Sequence, residues 1–439
     1  MSKKRVYEKV YDYYIEMMQA GKLSDGARMP SLRESEKQLG VSRTSIEAAY
    51  MQLAADGYIY SVEKSGFFVT DLASKQANDK KELLDEKSFD AWNNKEKVEY
   101  DFATIGEDRE IAILELWKRY IKAALRHEDR LLSYGINQGE EDLREEIAKF
   151  IRKQRNIICS PEDIIIGAGF QNLLQVLIPL LQGERTVSFP NKSFLEGATS
   201  FVDAGFTVSY RDKWAKNIYV TPAYMTKWGD VMPMKRRMEL VEHAKSDNHF
   251  IIEDDYQNEF VFSNHPLPSL YAMAGGENIA YLGSFSRILL PSVRISFLIL
   301  PKGYNAKYNE IKNRYNQTAS KAEQIALASF LRDGQLGRHI KKMRRLYQEK
   351  RTLLEAALIK YFDKKCDIKI GESGMEMALE LDIGDTAVDD IIGKIRANGV
   401  DVGFQKLGEG KLLILLSCSL IEKEKIEVGS AILGRSFFG

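Results

Sequence analysis

The segment from Ser284 to Arg294 collects side chains that could do chemistry on a bound molecule. It holds two hydroxyls, Ser284 and Ser286, and two guanidinium groups, Arg287 and Arg294. An arginine stays protonated in proteins, so neither can act as the nucleophilic amine that a catalytic lysine supplies. Both can bind carboxylates or phosphates through paired hydrogen bonds. The segment therefore predicts an anion site without covalent amine chemistry.

A second group of polar side chains lies near the N-terminus. Ser42, Arg43, Thr44 and Ser45 follow one another at the expected start of a helix. Short hydroxyls beside one two-pronged donor are the residue types that hydrogen-bond to base edges in the DNA major groove. These four residues are therefore candidates for reading a DNA sequence.

Bulk composition neither supports nor excludes a nucleic-acid partner. The 439 residues carry 63 Lys+Arg and 63 Asp+Glu, and the first 75 residues carry 11 basic and 10 acidic side chains. A DNA-binding interpretation must therefore depend on motifs and on where the charges lie. The three scattered cysteines lack metal-site spacing, and no signal core or run of about 18 apolar residues occurs. We expect a cytoplasmic protein with reduced thiols and no membrane contact.

Local signals in the first 70 residues predict three helices and a hairpin. Val6, Val10, Tyr13, Tyr14 and Met17 recur at helical spacing before Gly21. Ser31 and Glu34 form a capping-box pattern that starts a second helix, which we expect to end at Gly40. Ser42 is a suitable N-cap for a third helix with one apolar face, and two β-rich runs at 58–62 and 66–70 then form a wing-like hairpin. The apolar face of the third helix comprises Ile46, Ala49, Tyr50 and Leu53.

This order of elements resembles the winged helix-turn-helix of GntR-family transcriptional regulators. The resemblance is carried by three motifs in order, at residues 29–34, 40–45 and 55–59. It implies a DNA-binding domain over residues 1–72. The DNA contacts that it implies are Arg33 in the second helix, Ser42, Arg43, Thr44 and Ser45 in the recognition helix, and Lys64, Ser65 and Gly66 at the wing tip.

Residues 73–97 are polar and charged and are expected to be a linker. Beyond them, helical runs at 113–125, 141–155, 170–181 and 233–245 alternate with β-branched runs. Such alternation predicts an α/β domain over residues 98–439 with a largely parallel central sheet. A smaller α+β part is expected over about 304–439, with long helices at 304–360 and short strands at 375–381, 400–404 and 412–418. The expected strands of the central sheet are 163–167, 186–189, 207–210, 218–221, 250–254, 279–283 and 295–300.

The motifs of this large domain resemble fold-type-I aminotransferases, which use pyridoxal phosphate (PLP). The resemblance implies a phosphate site at the glycine turn Gly169-Phe170-Gln171 and at Ser284, Ser286 and Arg294. It implies an aromatic residue, Phe194, against the cofactor ring. It also implies that Asp254 pairs with the ring nitrogen and Tyr256 with the ring hydroxyl. Arg287 stands where the family has the lysine that holds PLP covalently.

Three further departures surround the same site. Tyr224 and Met225 replace polar loop residues, and Glu376 stands where the family often has histidine. Residues 411–417 contain no arginine for a substrate carboxylate. A permanent cation at Arg287 beside Arg294 would favour an anionic ligand. We therefore expect no covalent PLP and no transaminase activity, with reversible PLP or another anionic ligand as the candidate occupants.

A GntR-type domain joined to an aminotransferase-like domain is the layout of MocR-type regulators, which the whole chain resembles. The resemblance implies a homodimer that binds operator DNA and responds to a small-molecule effector. Two alternatives stay open at this point. The chain could be a PLP-dependent aminotransferase with a DNA-binding appendage, which Arg287 argues against. It could also be a regulator whose large domain is only a scaffold for dimerisation or protein contact.

Overall fold

The chain forms two compact units, Met1–Lys97 and Val98–Gly439, in a computed structural model. Each unit is described by itself. The expected linker 73–97 and three candidate site residues, Lys64, Ser65 and Phe194, lie outside the described part of the chain. The structure describes residues 6–19, 22–23, 27–55, 58–62, 66–69, 98–106, 108, 111, 113–181, 183–190, 195–212, 214–246, 249–262, 267–384, 386–407 and 410–438.

The N-terminal unit has the three helices and the hairpin expected from its sequence. The elements are α1 (Val6–Gln19), α2 (Leu32–Leu39), α3 (Arg43–Ala55), β1 (Ile59–Val62) and β2 (Gly66–Val69). The strands pair antiparallel, and Arg28 forms an isolated bridge with Phe68 on the other side of β2. The expected apolar face of α3 is buried as predicted, at Ile46, Ala49, Tyr50 and Leu53.

The buried face of α1 differs from the expected one. Val10, Tyr14 and Met18 are 3%, 1% and 5% exposed, whereas Val6 and Tyr13 are 50% and 37% exposed. The buried residues follow one another at intervals of four, a narrow stripe that faces α3. The expected face included every apolar residue at helical spacing and was therefore too wide. Only the residues along one line of this short helix are buried.

Helix α2 begins and ends where its sequence indicates. The Ser31 hydroxyl accepts from the Glu34 amide at 3.3 Å, and the Glu34 carboxylate accepts from the Ser31 amide at 2.7 Å. This reciprocal pair is the predicted capping box. Gly40 ends the helix with φ of +63°, a left-handed conformation that glycine adopts without steric cost.

The large unit is built on a seven-stranded sheet in the order β4-β10-β9-β8-β7-β5-β6. Strand β10 is antiparallel to both of its neighbours, and the remaining pairs are parallel. The sheet is therefore mixed but mostly parallel, as the alternation of elements predicted. Its strands are β4 (Ile164–Gly167), β5 (Thr186–Phe189), β6 (Thr207–Tyr210), β7 (Asn217–Val220), β8 (Phe250–Asp254), β9 (Ile279–Ser284) and β10 (Ser296–Ile299).

Helices cover this sheet, and the sheet separates two apolar cores that lie on its two faces. The expected helix 170–181 ends early as an α-helix and continues as a single 3-10 turn at Ile178–Leu180, where Pro179 has no amide to donate. The helices are α4 (Leu114–Ala124), α5 (Glu128–Leu131), α6 (Glu141–Arg155), α7 (Phe170–Leu177), α8 (Leu195–Asp203), α9 (Met234–Ser246), α10 (Leu270–Ala274), α11 (Asn305–Ile311) and α12 (Lys321–Arg332).

The C-terminal part carries a separate antiparallel sheet in the order β11-β12-β15-β14. The single strand expected at 400–404 is wrong, since the chain changes partners there. Val400–Asp401 (β13) pairs in parallel with Tyr100–Asp101 (β3), and the next strand joins the antiparallel sheet. The remaining elements are α13 (Gln335–Phe362), β11 (Asp367–Lys369), β12 (Glu376–Asp382), α14 (Val388–Ala397), β14 (Gly403–Lys406), β15 (Lys411–Ser417) and α15 (Lys423–Phe438).

Two kinds of feature are not found in the described part of the chain. None of the described helices is long and apolar enough to cross a lipid bilayer. Within the same residues, no three His, Cys, Asp or Glu side chains are grouped so that they could hold a metal ion.

Candidate functional site

The residues proposed to read DNA lie at the exposed N-terminal end of α3. Ser42, Arg43 and Thr44 are exposed and Ser45 is half-buried. The Ser42 hydroxyl lies 3.0 Å from that of Ser45 and 3.1 Å from that of Thr44, so the hydroxyls are held in one cluster. Arg33 is exposed in the first turn of α2. The structure thus presents hydroxyls and guanidinium groups at the start of both helices.

Arg28 extends this surface and was missed by the sequence reasoning. It is exposed and pairs with Phe68, so the segment before α2 runs beside the wing. Its guanidinium lies 3.7 Å from the point where a Cβ on Gly66 would lie, and Gly66 has φ of +104°. A single arginine in a loop belongs to no sequence motif that would mark it as a DNA contact. Only its pairing with Phe68 of β2 places it beside the wing.

The candidate ligand cleft lies where β4 and β9 end and β10 begins. Ser296, the first residue of β10, pairs with Gly167 on one side and Ser284 on the other. The glycine turn after β4 and the segment from Ser284 to Arg294 therefore meet at one edge of the sheet. Gly169 has φ of +97°, a conformation that favours glycine, and the Arg294 Nη2 atom lies 2.9 Å from the position that a Cβ on Gly169 would take.

The residues of the predicted phosphate site differ in their burial and in their hydrogen bonds within the protein. Phe170 is half-buried and packs against the core, whereas Gln171 is exposed on α7. The Ser286 hydroxyl donates to the Val293 carbonyl at 2.9 Å. Ser284 accepts from the Ser296 hydroxyl at 3.0 Å and from the Ser286 amide at 3.3 Å. Ser284 and Arg294 are thus the donors best placed for an anion, while Ser286 holds the turn.

Asp254 lies at the end of β8 and is already hydrogen-bonded within the protein. The Tyr219 hydroxyl donates to Asp254 Oδ2 at 2.5 Å, and the Tyr256 amide donates to Oδ1 at 3.3 Å. Burial raises the pKa of Asp254 to about 6, and the Tyr219 hydrogen bond opposes that shift. Tyr219 was missed because it sits in an apolar strand whose pattern gives no sign of a polar contact.

Arg287 is paired, which corrects the expectation of a second free cation in the cleft. Its Nη2 atom lies 3.1 Å from Glu376 Oε1. Glu376 is buried and is the first residue of strand β12 in the C-terminal sheet. The Tyr224 hydroxyl lies 3.0 Å from Glu376 Oε2 and 2.7 Å from the Lys227 carbonyl, and shares its one hydrogen between them. Three departures from the aminotransferase pattern therefore form one network, which we call the Arg287 network.

The Arg287 network joins three separate parts of the large unit. Arg287 follows β9, Tyr224 follows β7, and Glu376 begins β12. A Cβ on Gly374 would lie 2.6 Å from the Tyr224 ring and 2.8 Å from Glu376 Oε2, so the backbone passes directly beside the pair. Within the described residues, the buried Arg287 Nε has no acceptor. The network is thus tightly packed but keeps one donor unused.

A cavity of about 370 Å³ adjoins the network. Its walls include the rings of Tyr219, Tyr224, Trp228 and Tyr256, and the Tyr224 and Tyr256 rings meet edge to face with centroids 5.5 Å apart. Burial raises the pKa values of both Tyr224 and Tyr256, so both hydroxyls stay protonated. The cavity therefore offers aromatic rings, and its lining also includes two cationic residues, Arg211 and Lys227.

These residues fit PLP at one end only. The Gly169 turn, Ser284 and Arg294 make a cradle that suits a phosphate, because a Cβ at residue 169 would fill it. At the other end, Arg287 cannot form the covalent link and is bound to Glu376. Asp254 is engaged by Tyr219. The described residues thus suit a phosphate group at one end of the cleft and provide no lysine amine at residue 287.

Comparison with known proteins covers both units. Residues 6–69 match the family described as bacterial regulatory proteins, gntR family, and residues 109–227 and 226–384 match aminotransferase class I and II. The uncharacterized HTH-type transcriptional regulator YdeL of Bacillus subtilis is 31% identical over 90% of this chain and 88% of its own. The probable rhizopine catabolism regulatory protein MocR of Rhizobium meliloti is 26% identical over 92% of this chain and 86% of its own.

A solved structure shows the same fold in the large unit. An archaeal alanine:glyoxylate aminotransferase superposes with a TM-score of 0.69 and is 22% identical. The match covers 81% of this chain and 94% of that chain. At this identity the likeness establishes the fold-type-I aminotransferase architecture and nothing about activity.

Proposed function

The chain belongs to the MocR-like HTH-type transcriptional regulators, in which a GntR-type domain precedes an aminotransferase class I and II domain, and from this we propose a specific division of labour. Residues 1–72 bind operator DNA. Residues 98–439 dimerise and sense a small anionic ligand, without transaminase chemistry. The observation that carries the proposal is the Arg287 network, which is built around the residue that the family resemblance implies for covalent attachment of PLP.

The DNA-binding part of the proposal is supported by the exposed donors of the N-terminal unit. Arg43 lies at the start of α3, where a helix-turn-helix protein presents side chains to base edges. Arg33 and Arg28 lie on neighbouring elements and can contact the phosphate backbone. Arg43 would then supply base preference, and the other two arginines would supply affinity.

The sensing part of the proposal is supported by the anion cradle formed by Gly169, Ser284 and Arg294. Because Glu376 neutralises Arg287, Arg294 is the cation that remains for a ligand among the described residues of the predicted phosphate site. The cavity beside the Arg287 network has four aromatic side chains in its walls, which would bury an apolar or ring-containing part of a ligand. A ligand with one anionic end and one apolar end satisfies both features.

Dimerisation is supported by apolar side chains that the single chain leaves uncovered. In one short segment after α5, Leu132, Tyr134 and Ile136 are 87%, 104% and 53% exposed. Clustered exposed apolar residues of this size mark interaction surfaces. A two-fold dimer would bury them and would present two DNA-binding units to two half-sites.

The test is a binding titration on the DNA that the full-length protein protects next to its own gene. Replacing Arg43 with alanine (Arg43→Ala) should weaken binding by about 1–3 kcal/mol and relax base preference, because a bidentate base contact is lost. The matched control is Arg119→Ala, which removes an exposed arginine from the other unit and should leave affinity unchanged. Equal affinity of the Arg43 variant and wild type on the protected site would remove α3 from its proposed role.

A further inference from the structure

A second cavity, of about 240 Å³, lies behind the two loops that form walls of the ligand cleft. Ala223 lines it and is followed by Tyr224 of the cleft, and Asn258 lines it two residues after Tyr256. We call it the arginine cavity. Its polar lining consists of Gln154, Arg155, Arg237, Asn258, Glu259 and Arg344.

Two of the three arginines in this lining have no carboxylate partner among the described residues. Arg155 is paired with the buried Asp255 at 2.6 Å. Arg237 is 1% exposed and donates to three backbone carbonyls, those of Pro222, Met232 and Pro268. Arg344 donates to the carbonyls of Glu259 and Val261. Carbonyl oxygens satisfy the donors but leave the two positive charges uncompensated.

The acidic side chains nearby do not cancel this excess. Burial raises the pKa of Glu259 to about 7, so its carboxyl is only partly charged at neutral pH. Glu253 is buried and accepts from the amides of Leu270 and Tyr271, each at 2.8 Å, at the start of α10. Burial raises the pKa of Glu253 as well. Asp255 is already paired with Arg155. Uncompensated guanidinium charge in a partly buried cavity favours an anion.

We propose that the arginine cavity is a second binding site, for a small oxyanion such as sulfate, inorganic phosphate or a short carboxylate. Its volume of about 240 Å³ is smaller than the 370 Å³ of the cavity beside the Arg287 network, which favours a small ligand. The site is separate from the cleft, because no residue in the described part of the chain lines both cavities. An anion held here would contact the backs of the loops that carry Tyr224 and Tyr256.

The test measures sulfate binding to the full-length protein by calorimetry in a low-chloride buffer. Gln154 is exposed on α6 and its side chain makes no hydrogen bond with another described residue, so Gln154→Glu adds a carboxylate to the lining without removing an arginine. This variant should weaken one sulfate site by about fivefold to tenfold. Gln175→Glu makes the same change at an exposed position of α7, outside the cavity, and should bind sulfate as wild type does.

Sulfate could also enter the cradle at Gly169 and Arg294, so the variant Arg294→Gln separates the two sites. Sulfate binding that survives Arg294→Gln and is weakened by Gln154→Glu in the same chain supports the arginine cavity. Complete loss of binding in Arg294→Gln would place all sulfate in the cleft and overturn the proposal. Equal affinity of wild type and Gln154→Glu, or no binding by wild type at millimolar sulfate, would also overturn it.

Discussion

At the scale of single residues, the most informative contact is the one between Arg287 and Glu376, 3.1 Å apart. Glu376 is buried, and Tyr224 donates to the same carboxylate. Removing either charge would leave the other buried without its partner, which is strongly unfavourable. Arg287 is therefore packed and paired together with Tyr224 and Glu376, and we expect that Arg287→Lys alone does not create an aminotransferase site.

One prediction concerns the replacement of Arg287 by lysine. Wild-type protein incubated with PLP and then borohydride should carry no pyridoxyl group at residue 287. Arg287→Lys should carry little, because the Glu376 carboxylate favours the protonated amine, which is not nucleophilic. The double variant Arg287→Lys/Glu376→Gln should carry several-fold more. Peptide mass spectrometry gives the amounts, and equal labelling of the single and double variants would contradict the role assigned to Glu376.

A second prediction at this scale concerns Asp254 and pH. Burial raises its pKa from an ordinary 3.8 to about 6, so the folded protein binds a proton more tightly than the unfolded chain does. Stability contributed by this group therefore falls as pH rises from about 4 to about 6, by about 3 kcal/mol in total. Asp254→Asn removes the ionisation while its carbonyl oxygen can still accept from Tyr219.

The stability of Asp254→Asn relative to wild type should accordingly increase from pH 5 to pH 7.5. Urea unfolding of both proteins at the two pH values measures the difference. Asp203→Asn, at an exposed aspartate in the last turn of α8, serves as the control and should show the same difference at both pH values. A pH-independent effect of Asp254→Asn would show that the carboxyl is not strained by burial.

At the scale of elements, a chain of hydroxyls ties the three N-terminal helices together. Tyr14 of α1 donates to Ser35 of α2 at 2.7 Å, and Ser35 lies 2.8 Å from the Tyr50 hydroxyl of α3. Tyr50 also donates to the Pro30 carbonyl at 2.8 Å, directly before the α2 cap. Burial raises the pKa of Tyr50, so it remains a donor. This chain fixes α2 relative to α3, the geometry on which DNA docking depends.

Ser35→Ala should therefore destabilise the N-terminal unit by about 1–3 kcal/mol, because the buried Tyr14 hydroxyl loses its acceptor. Ser35 is fully buried, and the substitution adds no volume. Thermal unfolding followed through the N-terminal tyrosines measures the loss, and operator affinity should fall with it. The control is Ser61→Ala on the exposed side of β1. If the Ser35 and Ser61 variants unfold at the same temperature, the hydroxyl chain contributes nothing to the helix arrangement.

At the scale of the whole molecule, the two units differ in how they present polar and apolar groups. The N-terminal unit exposes arginines and hydroxyls at helix starts, and the large unit exposes an apolar segment after α5. DNA binding and self-association are therefore expected from different units. The near-zero net charge of the chain conceals this separation.

Light scattering at micromolar concentration should give the mass of a dimer for the wild-type protein. The double variant Leu132→Glu/Ile136→Glu should shift the protein towards the monomer, because two charges would have to be buried at the interface. Leu353→Glu changes a leucine on α13 that is 43% exposed and is the matched control. A monomeric wild type, or an unchanged dimer in the double variant, would place dimerisation elsewhere or exclude it.

What the sequence determined by itself is what depends on near neighbours in the chain. Ser31, Glu34 and Gly40 set the limits of α2, the alternation of elements predicted the mostly parallel sheet, and the chemistry of arginine excluded a nucleophile at residue 287. These signals involve residues a few positions apart, so local periodicity and capping rules capture them.

Contacts between residues that are far apart in the chain became known from the fold alone. Glu376 lies 89 positions from Arg287, Tyr219 lies 35 positions from Asp254, and Ser35 lies 21 positions from Tyr14. Arg28 reaches the wing only because it pairs with Phe68 of β2. Such contacts depend on how separate segments pack, and a buried polar group takes whatever partner the packing brings to it. For this reason the sequence could propose residues for the cleft, but it could not predict that Arg287 pairs with Glu376.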